Sequence, residues 1–243
     1  MRNWRPENIE KLTRKRLREY ELISGNKIPW PRVPIELVIE NQPFDLIIKW
    51  ETIEERPGET ILAALRPDAK QIVLNECYRE LFTEKPGLER FSLGHELGHW
   101  DLFCSKRALG EDLLPGLELN YQPVFRNSGQ GIVQVFIDLA TSKHEAYEML
   151  RDFNANPRRD SPLERWAVDR YSASLLMPRD IVALEVQGLD LTQWPTLYQV
   201  AERFSVTATA CRVRLEELGV IYARDGKLFR SREEYSGQLT LNI

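Results

Sequence analysis

Two histidines four residues apart constrain this chain more than any other feature. They stand in His95-Glu96-Leu97-Gly98-His99. Residues i and i+4 share one face of an α-helix, so both imidazoles can reach one ion. Zn²⁺ takes nitrogen ligands in a tetrahedron, and a catalytic site leaves one position for water. Glu96 lies about 100° round the helix axis from His95. It can therefore address that water without being a ligand. The chain has only 3 histidines and 26 glutamates among 243 residues, and random placement yields about 0.004 such motifs. The motif is thus read as a metal helix, with His95 and His99 as ligands and Glu96 as general base.

The flanks agree. Residues 88–103 are expected to form one helix, with Ser92 on the ligand face and Leu93, Leu97 and Trp100 on the opposite apolar stripe. Gly94 and Gly98 cost this helix up to ~1 kcal/mol each against alanine. Their presence predicts that something packs very close to it.

The remaining chain reads as α+β. An amphipathic helix is expected over residues 8–23, with Ile9, Leu12, Tyr20 and Ile23 at helical spacing and Leu17 close by. Its polar face carries Arg14, Lys15, Arg16 and Arg18. Residues 1–32 hold 9 basic and 4 acidic side chains, read chiefly as a solvated face, with an acidic partner or nucleic acid as the alternative. Pro29, Pro31 and Pro34 make a rigid loop. Strands are expected at 44–50, 61–65 and 71–75, broken by Pro57-Gly58 and Pro67-Asp68, forming a small, mostly antiparallel sheet. Residues 105–160 behave as an insertion. Ser161-Pro162-Leu163-Glu164 opens another helix, which Pro178 stops. Two short helices follow around a Ser205-Val206 turn, Gly219 caps the second, and Asp225-Gly226 closes a hairpin. Helix, turn, helix, hairpin is a winged-helix order. Residues 1–190 are therefore assigned to a zincin-like domain and 191–243 to a winged-helix-like unit.

Two blocks resemble the ImmA/IrrE metallopeptidases of bacteria and their mobile elements. Glu89-Arg-Phe-Ser-Leu-Gly-His-Glu-Leu-Gly-His-Trp100 is similar to the family's R-F-T-L-A-H-E-L-G-H-W. Glu164-Arg-Trp-Ala-Val-Asp-Arg-Tyr-Ser-Ala-Ser-Leu-Leu-Met-Pro178 looks like its E-x-x-A-[DN]-x-F-A-A-x-L-L-M-P. Pro34-Ile35-Glu36 and Ile72-Val-Leu-Asn75 add to the likeness, which spans about residues 30–220 without the insertion. The resemblance implies a Glu-type zinc peptidase whose third ligand comes from the second block. Glu164 matches that ligand when counted forward. Counted back from Leu-Leu-Met-Pro, Asp169 takes the Asp/Asn position, and position 165, where the glutamate belongs, is arginine. One residue is extra, and a π-bulge between Ala167 and Tyr171 would absorb it. Ser161-x-x-Glu164 is also a capping box, and Asp169, Glu148, Glu145 and His144 stay open as third ligands. Arg165 or Tyr171 are the candidates to steady an oxyanion.

The resemblance further implies cleavage of a helix-turn-helix repressor encoded nearby. Between Thr192 and Ile243 there are 7 basic and 6 acidic residues, too even a balance for a strong phosphate-binding module. The tail is therefore expected to be structural or to dock substrate, with direct DNA binding as the lesser reading. The alternative function is a DNA- or protein-binding regulator on a peptidase scaffold that cleaves weakly or not at all. Net charge −4 argues against broad nucleic-acid binding. The most apolar segment, 132–140, carries Gln134 and Asp138, so no membrane span is expected. No export signal leads the chain, which predicts the cytoplasm. Cys77, Cys104 and Cys211 are read as small buried apolar residues rather than a disulfide framework or a cysteine zinc site.

Overall fold

The computed structural model describes residues 5–57, 60–104 and 162–236. The side chains of residues 162–164 and 233 lie outside that description, as do His144, Glu145, Glu148 and the expected insertion.

Helix α1 (Pro6–Ser24) starts with proline at its first turn, where no amide donor is needed. Its buried side chains are Ile9, Thr13, Leu17 and Tyr20, spaced by four, four and three. The expected stripe shifts at its end, since Ile23 is 58% exposed while Thr13 is buried. The short helix α2 (Ile35–Glu40) buries Ile35, Val38 and Ile39, another i, i+3, i+4 set.

Three strands follow: β1 (Ile47–Glu51), β2 (Ala63–Arg66) and β3 (Gln71–Asn75). Their order is β1-β3-β2. β2 and β3 pair antiparallel across the Pro67–Lys70 turn, but β1 pairs parallel with β3, Ile48 opposite Ile72. The sheet is thus mixed, which corrects the mostly antiparallel expectation. The tight turn folds β3 back beside β2, and β3 lies between β2 and β1, running in the same sense as β1. As the central strand it is buried on both faces at Ile72, Val73 and Leu74.

Helix α3 (Arg79–Glu84) leads into α4 (Pro86–His99), and a π-helical turn spans Trp100–Cys104. Every α4 residue from Leu88 to His99 except Glu89 is buried. Sheet, α2 and the long helix α5 (Pro162–Leu176) enclose it. After α6 (Arg179–Glu185) come α7 (Trp194–Phe204), α8 (Ala208–Glu217), the antiparallel pair β4 (Tyr222–Arg224) and β5 (Lys227–Phe229), and α9 (Arg232–Ser236). Asp225 and Gly226, both at positive φ, form the two-residue hairpin turn expected of Asp-Gly. Among the described residues, no helix is long and apolar enough to cross a membrane. All three cysteines are free; Cys104 and Cys211 are buried, but Cys77 is exposed, against expectation.

Candidate metal centre

Both motif histidines lie on α4 and are fully buried, and Glu96 is 1% exposed. His95 Nε2 and His99 Nε2 stand 3.2 Å apart. Two nitrogens at about 2.0–2.1 Å from one tetrahedral ion stand about 3.3 Å apart. The pair therefore already has the spacing of two ligands to a single zinc. The rings meet edge to face at 67° with centroids 4.9 Å apart.

The other nitrogen of His95 faces Asp169 on α5, Nδ1 to Oδ1 at 2.8 Å. A carboxylate there keeps the proton on Nδ1, which leaves the Nε2 lone pair for a metal. Asp169 was open as a third ligand. Its described oxygen instead supports His95 from behind. Among the described residues no set of three His, Cys, Asp or Glu side chains converges as a metal site.

Two glycines make this approach possible. A Cβ on Gly94 would sit 3.2 Å from Ser172 Cβ, and one on Gly98 would sit 3.2 Å from Val168 Cβ and 3.3 Å from Tyr171 Cβ. A Cβ at Gly94 would collide with the Ser172 side chain, and one at Gly98 would require Val168 and Tyr171 to give by a few tenths of an ångström. The close partner that the glycines predicted is thus the helix carrying Asp169. Ser172 Oγ donates to Phe91 O at 3.0 Å, a second tie across the same contact.

α5 is α-helical throughout, from Pro162 to Leu176. No bulge separates Ala167 from Tyr171, which corrects that expectation. The π-helical turn lies instead at Trp100–Cys104, directly after His99. Trp100 N donates to both Glu96 O and Leu97 O at the end of α4. On the uninterrupted α5, the residue one turn before Asp169 is Arg165. The backbone of Glu164 belongs to α5, while its side chain lies outside the description.

Tyr171 does not face the histidines as an oxyanion donor. It is fully buried, and its hydroxyl donates to Asp101 Oδ2 at 2.9 Å. Burial pushes its phenol well above the ordinary range, and the neighbouring Asp101 charge adds to this. Arg16 from α1 closes the cluster, with Nε 2.9 Å from Asp101 Oδ2 and Nη2 2.6 Å from Oδ1. Asp101 thereby ties α1, the π turn and α5 together beside His99. Arg16 sits on the face read as solvated, yet its side chain is only 22% exposed. The partners lie 85 and 70 residues apart, so no local pattern marks them.

The C-terminal helices dock on this assembly. Arg90 of α4 donates to Val33 O at 2.6 Å and to Ser205 O at 3.0 Å. A Cβ on Gly87 would sit 2.5 Å from the Val206 carbonyl carbon, so α4 touches the turn between α7 and α8. Arg214 of α8 is fully buried. It donates to Met177 O at 3.0 Å and forks onto Glu10 at 2.6 and 2.9 Å. No residue of α8 is exposed. Burial pushes Glu10 upward, but the hydrogen bond and charge of Arg214 outweigh it, so its carboxyl stays below the ordinary value. Glu217, in the same cluster, is pushed up by burial.

No protein-family model matches this chain. No curated protein matches it either.

Proposed function

We propose that this chain is a zinc-dependent endopeptidase of the ImmA/IrrE kind, a zincin-like domain followed by a winged-helix-like unit. The observation that carries the reading is the pair of Nε2 atoms 3.2 Å apart, with Asp169 behind one ring and Glu96 buried next to it in the chain. His95 and His99 would hold the ion, and the family pattern adds Glu164 as third ligand. Bound there, zinc would polarise the scissile carbonyl and acidify water. Glu96 accepts the proton of the attacking water and delivers it to the leaving amine. Asp169 holds His95 in the tautomer that presents Nε2. Burial of all three side chains keeps bulk solvent from the reacting carboxylate and strengthens its electrostatics.

The substrate in this proposal is a helix-turn-helix repressor encoded nearby, met in the cytoplasm, whose cleavage relieves repression of stress or mobile-element genes. The inward-facing α8, with Arg214 buried, favours a structural or substrate-docking tail over a DNA reader. A DNA-reading helix presents exposed side chains to base edges.

A regulator with weak or no cleavage is the second reading. Arg165, one turn before Asp169 on a continuous helix, favours it, because the family's glutamate belongs there. Zinc content and repressor cleavage, measured together, test both. The peptidase reading expects about one zinc per chain, lost in His99→Ala and in Glu164→Ala, and cleavage abolished by chelator. Glu96→Gln is expected to keep the zinc and slow cleavage by about 10²–10⁴-fold. Cleavage that survives Glu96→Gln sinks the role of Glu96. Full zinc without any cleavage favours the regulator.

A further inference from the structure

A groove of about 760 Å³ runs between α1 and the corner where α5 meets α6. Thr13 and Ser174, both 1% exposed, lie in its floor. Five cations line it: Lys11, Arg14, Lys15 and Arg18 from α1, and Arg179 from α6. The whole chain carries a net charge of −4, so this face departs from the average in sign.

The groove's own carboxylates cancel only part of that charge. Glu10 serves Arg214. Glu19 serves Arg16 at 2.8 Å and Lys15 at 3.5 Å. Asp180 serves Arg14 at 2.6 Å. Lys11, Arg18 and Arg179 make no ion pair among the described residues. Lys11 and Arg18 are therefore uncompensated among the described residues, while the charge of Arg179 acts on Glu10 across the cleft.

Their spacing reads as a helix partner. Lys11, Lys15, Arg18 and Leu22 fall at i, i+4, i+7 and i+11, along one face of α1. Lys11 to Arg18 covers about 10 Å of axis, two turns of an opposing helix. At the end of the row Leu22 is 83% exposed, an apolar contact awaiting a partner. A continuous phosphate backbone has nothing to offer Leu22. Acidic side chains at helical spacing, followed by one apolar side chain, match the whole row.

We infer that this groove docks an acidic amphipathic helix of a partner protein by the helix-in-groove mode. The inference needs neither zinc nor cleavage. It is tested on the full chain by fluorescence anisotropy. The probe is a labelled peptide of roughly 18 residues, long enough to hold a helix, with glutamates at i, i+4 and i+7 and a leucine at i+11. The unmodified chain is expected to bind it, with affinity falling as salt rises. The triple variant Lys11→Glu, Arg18→Glu, Arg179→Glu is expected to bind about tenfold more weakly or worse. Leu22→Ser should also weaken binding, and since this side chain is exposed its loss leaves the fold intact. The control Lys49→Glu, Lys70→Glu, Lys227→Glu changes charge equally at exposed positions outside the groove and should bind as the unmodified chain does. No binding at low salt, equal loss in the control, undiminished binding of a peptide with glutamine for glutamate, or tighter binding of duplex DNA at the same salt each overturns the inference. Thermal unfolding by circular dichroism verifies that the triple variant is folded.

Discussion

Gly94→Ala puts the α4–α5 contact to a quantitative test. In an open helix the change would stabilise by about 1 kcal/mol, because alanine is the better helix former. Here the new methyl meets Ser172, with its Cβ 3.2 Å from Ser172 Cβ. Ser172 cannot swing aside freely, since its hydroxyl is held by Phe91 O at 3.0 Å. Overpacking of this kind costs about 1–3 kcal/mol, and losing the buried hydrogen bond adds about 1 kcal/mol. Against the propensity gain, Gly94→Ala should destabilise the fold by about 1–3 kcal/mol. Urea unfolding measures this directly, as a lower midpoint at unchanged slope. Ser172→Gly in the same chain removes the obstructing side chain and should recover much of the loss, a coupling visible in a double-mutant cycle. The same wedge moves Asp169 away from His95, so zinc affinity should fall with stability. A Gly94→Ala chain as stable as the parent, or stabler, refutes the close helix contact and the placement of Asp169 that depends on it.

Other consequences follow from the same geometry. Asp169→Ala should weaken zinc binding about 10–100-fold without removing the site, measured by chelator competition; loss of all zinc would make Asp169 a ligand instead. Gly87→Ala drives a methyl into backbone at Val206 and Thr207, so limited proteolysis should cut between α6 and α8 faster than in the parent; an unchanged rate refutes that contact. Glu10→Gln removes the main charge partner of the buried Arg214 and should cost about 3 kcal/mol near pH 7. The folded Glu10 carboxyl lies below its ordinary value of 4.5, so its contribution is present above that pH and is lost as pH falls through the lower folded value. Glu217, raised by burial, takes up its proton first on the way down. The stability gap between parent and Glu10→Gln should therefore be widest near neutrality and close in acid; a gap independent of pH refutes the assignment.

The helix that carries His95 and His99 was legible because its signal is periodic and local. The i, i+4 spacing alone sets both histidines on one face, and the two glycines announced a close neighbour. The hairpin at Asp225-Gly226 was legible for the same reason, since a two-residue turn is chosen by its own residues. The parallel pairing of β1 with β3 was not, because strand order depends on where the chain crosses and not on alternation within each strand. The π turn at Trp100–Cys104 escaped notice as well. It carries Asp101 to Arg16 and Tyr171, partners remote in sequence that burial brings together. Ser161-x-x-Glu164 and the Leu-Leu-Met-Pro end gave conflicting registers for one helix. The continuous helix keeps the register that brings Asp169 to His95.

The chain alone determined that His95 and His99 share one helical face, because side-chain type and helical spacing are written in consecutive residues. It also determined that the helix bearing them would be tightly covered. Tertiary structure decided which nitrogen of His95 faces His99 and what stands behind the other, because a hydrogen bond across 74 residues exists only once α5 lies on α4. It likewise made Arg214 a buried tie to Glu10. Burial and long-range pairing are properties of the packed chain, and no stretch of sequence carries them by itself.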